Sequence, residues 1–194
     1  MKFLLLLLSL SLHQLAFSAT CPELIEKLTY FHHEETQYTD ATVESVIDNK
    51  VAGFLTYTNQ FDYHYVEVVR VEPEFRRQGI HTTLFKKFID KEDPDEVHFM
   101  LADINRSVFL EKLQLHMFHP NVKLRAEDYI TSILNTTIIK EHNIKFVLEM
   151  AGGNIPSGIA LRRLGYEVKE VKLSTYDMRG KPKLKIHLEF RRKE

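Results

Sequence analysis

The stretch "FDYHYVEVVRVEPEFRRQGIHTTLFKKFI", residues 61 to 89, switches its hydrophobic period within a few residues, and nothing else in the chain limits the fold so tightly. From Phe61 to Val71 nearly every residue is β-branched, aromatic or able to sit on one face of a sheet, and no helical period competes, so a strand is expected. Pro73 ends it, since proline cannot donate to a ladder. Beyond Gly79, the positions Ile80, Leu84, Phe85, Phe88 and Ile89 make one helical stripe. The segment therefore reads as a strand-to-helix junction whose turn carries a proline, two arginines and a glycine.

Such a turn has a chemistry of its own. A helix start leaves its first backbone N–H groups without partners and bears partial positive charge, so it stabilises an anion. Gly79 has no side chain and lets the backbone come close. Arg76, Arg77 and Gln78 add donors from the turn, Ile80, His81 and Thr82 open the helix at its mouth, and Thr82 and Thr83 add hydroxyls. Phosphate is the natural tenant. One glycine is a weaker signal than a glycine-rich phosphate loop, and a solvated turn around an ordinary glycine fits the local residues equally well.

The rest of the chain supplies context. A helix is expected from Pro22 to about Glu35, two antiparallel strands over 42–58 around Asp48-Asn49, and a buried strand from Val97 to Ile104. Helices follow near Ser107 to Phe118 and Glu127 to Lys140. "IKFVLEM", residues 144 to 150, reads as a short strand, "NIPSGIALRRLGY", 154 to 166, as a helix opened by Pro156, and the C-terminus as a strand pair around Arg179-Gly180. With 194 residues, 44% of them hydrophobic, this is enough for one domain with a real core. The net charge of −1 does not call for nucleic acid. A single cysteine rules out any disulfide within the chain.

The N-terminus differs in kind. Lys2 gives a positive start, Phe3 to Leu12 is an unbroken run of apolar residues and serine, and Ala16-Phe17-Ser18 places small residues as a leader cleavage site does. Residues 1–18 are thus expected to be a cleaved signal peptide, leaving a domain of 19–194 that is exported to a periplasmic or extracellular space. His13 and Gln14 interrupt the apolar stretch, which falls short of the ~20 residues of a membrane span, so no stable span is expected after cleavage.

Order along the chain adds a resemblance. Antiparallel strands, a long strand ending in "VEPEFRRQGI", a helix, a short strand, an asparagine and "LRRLGY" together resemble the GNAT superfamily of N-acetyltransferases, from about Pro22 to the C-terminus. Val71, Pro73, Arg76 and Gly79 fall on that family's V-x-P and R/Q-x-x-G-x-G/A pattern, with His81 in place of the second small residue. Asn154, Ser157, Leu164, Gly165 and Tyr166 match its later asparagine-helix motif. "DINRSVFLEKL", residues 103 to 113, imitates that motif, but only the later copy is followed by glycine-aromatic and a strand pair.

The resemblance implies an α/β (α+β) fold with a mixed, largely antiparallel central sheet flanked by helices, plus an extra strand and helix insertion between about Lys91 and Lys140. It implies acetyl-CoA as co-substrate, its diphosphate on the turn from Arg76 to Thr82, its pantetheine arm on the backbone of Val69 and Val71, and Asn154 beside it. The acceptor would be an amine, small or on a protein. Glu67, on the same face as Val69 and Val71 by strand alternation, is the first candidate for the base that deprotonates it, ahead of His64 and Glu149. Where many members carry a tyrosine as acid, this chain has Leu161, leaving Tyr166 or water. A binding module for CoA or an acyl-phosphopantetheine, without catalysis, is the alternative. No metal site is expected: "FHHEE", residues 31 to 35, lacks ligand spacing, and His116 with His119 lacks a third ligand.

Overall fold

A computed structural model describes residues 22–37, 39–117 and 142–194. Its framework is a seven-stranded sheet in the order β1-β2-β3-β4-β5-β7-β6. The strands are β1 (Thr29–His33), β2 (Ala41–Ile47), β3 (Lys50–Asn59), β4 (His64–Val71), β5 (Glu96–Met100), β6 (Tyr166–Met178) and β7 (Lys181–Arg192). The helices are α1 (Pro22–Glu26), α2 (Ile80–Glu92), α3 (Asp103–Met117), α4 (His142–Gly153) and α5 (Pro156–Arg163). Every pairing is antiparallel except β4 with β5, which α2 joins as a crossover. This is the mixed, largely antiparallel sheet that the family resemblance implied.

Alternation explains the first half. β2 buries every second residue, and Asp48 and Asn49 at φ 48° and 59° make the two-residue turn into β3. Leu55 and Tyr57 of β3 face Leu84, Phe85 and Phe88 of α2 in one buried cluster, and the Tyr57 and Phe88 rings lie 4.7 Å apart. The Tyr57 hydroxyl donates to Glu92 at 2.5 Å, which ties the end of α2 to the sheet. In the second half, Phe99 of β5 stacks on Phe190 of β7 at 5.5 Å. The Tyr166 hydroxyl donates to the carbonyl of Pro94 and pins β6 to the turn before β5.

Three expectations need correction. The helix expected over 22–35 stops at Glu26, and Thr29–His33 pairs with β2 as the sheet's edge, because Thr29, Tyr30 and Phe31 suit a pleated surface and strand pairing overrides weak helical spacing. Residues 144–150 lie in helix α4 rather than in a strand. Leu148 and Ala151 are buried at helical spacing, and short apolar runs do not distinguish the two forms. The strand expected to reach Ile104 ends at Met100, and α3 begins at Asp103. The helix expected over 127–140, residues 1–18 and His119 lie outside the described residues.

Candidate active site

β4 and β5 pair only at His64 with Val97, Tyr65 with His98 and Val66 with Phe99. Past Val66 the strands part, and among the described residues no strand pairs with that edge of β4 beyond Val66. The parting opens a cleft of about 700 Å³ lined by Val69, Val71, the turn through Arg76, Arg77 and Gly79, and the first residues of α2, Ile80, His81 and Thr82. Asn105 of α3 and Pro156, Ile159 and Arg163 of α5 close its other side.

The turn is built to expose backbone. Gly79 caps α2 at φ 85° and ψ −6°, a left-handed conformation that costs other residues energy, and Arg77 also takes a positive φ of 64°. Arg76 donates from Nε to the carbonyl of Val71 at 3.1 Å, tying the turn to the end of β4. Gln78 donates to the carbonyl of Glu74 at 3.1 Å, so it shapes the turn without lining the cleft. No side chain caps the N-terminus of α2. Its first N–H groups thus stand at the cleft beside two guanidinium-bearing residues, an arrangement suited to a diphosphate.

His81 replaces the family's small residue without filling the turn. Its imidazole shares a hydrogen bond with Ser157 of α5 at 3.4 Å and meets the edge of Phe85 at 5.4 Å. Burial pushes its pKa down to about 4, so the ring is neutral at physiological pH.

Glu67 lies elsewhere than alternation implied. Thr56 pairs with Val68 and Tyr57 with Val66, which leaves Glu67 as the extra residue of a β-bulge. Its side chain lines a hollow of about 80 Å³ in the gap between the parted strands, shared with Val69 and Asn105 of the large cleft. Glu67, Met100 and Ala102 also line a further hollow of about 560 Å³ with Tyr65, Asp103 and Tyr176. The three spaces therefore run in series from the turn through the gap to Glu67. Partial burial, with a smaller contribution from Asp40, raises the Glu67 pKa above its ordinary value.

Other sequence candidates fall outside the cleft. Asn154 bonds His116 at 3.3 Å and Arg162 at 3.4 Å, and lies in a neighbouring hollow with Ile159, Arg162 and Arg163. The cleft holds Asn105 instead, the asparagine of the motif copy that the sequence ranked second. Leu161 is fully buried, and the Tyr166 hydroxyl is committed to Pro94. His64 lies 3.6 Å from Glu92, and Glu149 lines a hollow with Phe146 and Met150.

The profile of the acetyltransferase (GNAT) family matches residues 10–106, half of the chain. The chain belongs to the GNAT family. The match starts at residue 10, inside the stretch read as a leader. No curated protein sequence matches the chain. Among solved structures, this acetyltransferase is similar to a GNAT family acetyltransferase from Elizabethkingia anophelis with acetyl-CoA bound, at 10% identity and a TM-score of 0.43 over 86% of this chain and 99% of that one. It is also similar to the ribosomal-protein-S18-alanine N-acetyltransferase of Escherichia coli, at 12% identity and a TM-score of 0.40 over 84% and 80%. A nourseothricin acetyltransferase gives 12% identity and a TM-score of 0.41 over 84% and 83%.

Proposed function

We propose that this GNAT acetyltransferase moves the acetyl group of acetyl-CoA onto a primary amine across the gap between β4 and β5. The observation that carries the reading is the series of hollows, with an anion-binding turn at one end and a carboxylate at the other. In this reading the diphosphate lies on the turn from Arg76 to Thr82, and the pantetheine arm runs along the free edge of β4 at Val69 and Val71. The thioester sits at the gap near Asn105.

The acceptor enters beside the Glu67 carboxylate, which suits an ammonium group, while Tyr65 and Tyr176 supply aromatic walls; Asp103 on the same hollow is already paired with Arg106 at 3.0 Å, and Lys185 also lines it. Amines with a pKa near ~10 arrive mostly protonated, so a base must take one proton before attack. Glu67, with its raised pKa, takes it. The amine nitrogen then bonds to the thioester carbon and the carbon–sulfur bond breaks. CoA leaves as a thiolate, a fair leaving group since a thiol's pKa is ~8.5, and the second proton that the nitrogen sheds on becoming an amide passes through water to that thiolate, giving the amide and CoA thiol.

Titration calorimetry with acetyl-CoA, followed by thiol release with a panel of polyamines, aminoglycosides and peptide amines, tests the reading. Binding with turnover on at least one amine is expected. Binding without turnover on any of them favours the non-catalytic CoA-binding reading, which the buried Leu161 and the committed Tyr166 support. Absence of binding removes both.

Residues 1–18 act in this proposal as a cleaved export leader ahead of a domain of 19–194, on the strength of Lys2, the apolar run and Ala16-Phe17-Ser18. CoA thioesters are cytosolic, so an exported enzyme needs delivery into another cell's cytoplasm to meet its donor. Mass spectrometry of the protein from its native host should show a chain starting near Ala19. An intact Met1 chain in the cytosol would retire the export proposal.

A further inference from the structure

On the face of β5 opposite Val97 and Phe99, side chains far apart in sequence converge. His98 of β5 pairs with Glu189 of β7, and His187 stands two residues before Glu189 on the same strand, so the register sets all three on one face. His187 Nε2 lies 3.4 Å from His98 Nδ1 and 3.8 Å from Glu189 Oε1. One donor atom from each of the three residues lies within 4.8 Å of the others. His98 and Glu189 are buried and His187 is partly open to solvent.

These separations have a chemical meaning. With Zn–N and Zn–O bonds of ~2.0–2.2 Å, neighbouring ligand atoms of a tetrahedral zinc ion stand ~3.3–3.6 Å apart. The His98–His187 pair is already at that separation, the His187–Glu189 pair is a few tenths of an ångström outside it, and the His98–Glu189 pair, within 4.8 Å, closes as the ion is bound. Outer partners orient the ligands in the manner of a metal site. His98 Nε2 lies 3.2 Å from Glu96 Oε2, and because an ionised carboxylate only accepts, Nε2 carries the proton and Nδ1 keeps its lone pair for the centre of the cluster. Tyr63 stacks on the His98 ring at 4.0 Å and fixes its plane.

A cation already faces this carboxylate. The Lys172 ammonium pairs with Glu189 and lies 3.3 Å from Glu170, on a side chain that is 55% exposed and has room to swing into solvent. We propose that His98, His187 and Glu189 form a site for one divalent ion of the zinc class, which enters by displacing Lys172 from Glu189. The ion bridges β5 and β7, and a water fills its fourth position. The site is independent of the acetyltransferase chemistry.

The test is calorimetric titration of the full chain with zinc chloride, paired with cobalt(II) absorption for coordination geometry. Because the chain has 10 histidines, variants decide the location. Wild type should saturate with one tightly held ion and give tetrahedral cobalt bands. Glu96→Gln should weaken affinity by ~10- to 100-fold as a lost outer partner, and His187→Gln by more. Lys172→Ala, a change at an exposed side chain, should tighten binding because the competing cation is gone. No saturable uptake by wild type, undiminished uptake in folded His187→Gln, or unchanged or weaker affinity in Lys172→Ala would each overturn the site.

Discussion

Replacing Gly79 by valine separates the shape of the turn from its charges. Gly79 sits at φ 85° and ψ −6° as the cap of α2, and a side chain there costs ~1–2 kcal/mol, more for a β-branched residue. Either the strain stays, lowering the melting temperature by about 2–8 °C at ~2–4 °C per kcal/mol, or the turn relaxes to negative φ. Relaxation turns the first N–H groups of α2 away from the cleft. Each hydrogen bond from such a group to a charged diphosphate is worth ~1.5–3 kcal/mol, so the loss of one reduces acetyl-CoA affinity by about 10- to 150-fold. Calorimetry of Gly79→Val with acetyl-CoA reads this directly. Gly180→Val is the control: Gly180 has φ 73° with nothing near its Cβ, at the tip of the β6–β7 hairpin, so it carries similar strain remote from the cleft. A folded Gly79→Val that binds acetyl-CoA as wild type does would refute the diphosphate assignment. So would a Gly180→Val that loses as much affinity.

Glu67→Gln should lower kcat by ~10²- to 10⁴-fold with little change in acetyl-CoA affinity. In wild type, activity should climb as pH rises through the raised Glu67 pKa, because only the carboxylate accepts a proton, and that acid limb should vanish in a pH–rate profile of the variant. His81 has a folded pKa of about 4 against ~6.5 unfolded, so its contribution is whole above pH ~6.5 and drains away as pH falls toward 4. Urea denaturation from pH 7 to pH 4 should show roughly 2–3 kcal/mol of lost stability that is smaller in His81→Gln. Gly158→Ala would put a Cβ 2.2 Å from the carbonyl oxygen of Gly152, forcing α4 and α5 apart. A loss of ~1–3 kcal/mol or more is expected in thermal melts, and an unchanged melting temperature would show that the two helices give way freely.

What the sequence disclosed was local. The period change at Val71, Pro73 and Gly79 is written within a few consecutive residues, and the junction, the cleft wall and the uncapped start of α2 all follow from it. The edge strand Thr29–His33 was hidden because its reason for being a strand is the pairing of Thr29 with Val46 and His33 with Thr42, a contact between segments. Helix α4 was hidden in the same way: Gly152 packs on Leu188 of β7, 36 residues later, and a short apolar run carries no mark of that neighbour. The choice between Asn105 and Asn154 went by flanking letters, whereas the cleft is bounded by whichever helix starts where β5 ends. The cluster of His98, His187 and Glu189 shows the limit plainly. His187 and Glu189 lie 89 and 91 residues beyond His98 along the chain, and only the β5–β7 register joins them to it.

Glu67 shows how a single unreadable residue shift bears on function. Strict alternation puts Glu67, Val69 and Val71 on one face of β4, which would crowd the carboxylate into the cleft proposed for the diphosphate-bearing donor. The register shift between Thr56 and Tyr57 breaks the period, since Val66 remains buried opposite Tyr57 and Glu67 becomes the extra residue. The bulge lies where β4 loses β5, one residue past the last parallel pair, Val66 with Phe99. The bulge and the parting of the strands thus coincide, where a bulge in the β3 ladder bends β4 and increases its local twist. The same strand then offers backbone and Val71 to the large cleft and the Glu67 carboxylate to the gap and the hollow beyond it. In the proposed reaction the base stands on the acceptor's side of the thioester and CoA on the other, and the inserted residue in β4 is what would give the Glu67 carboxylate that place.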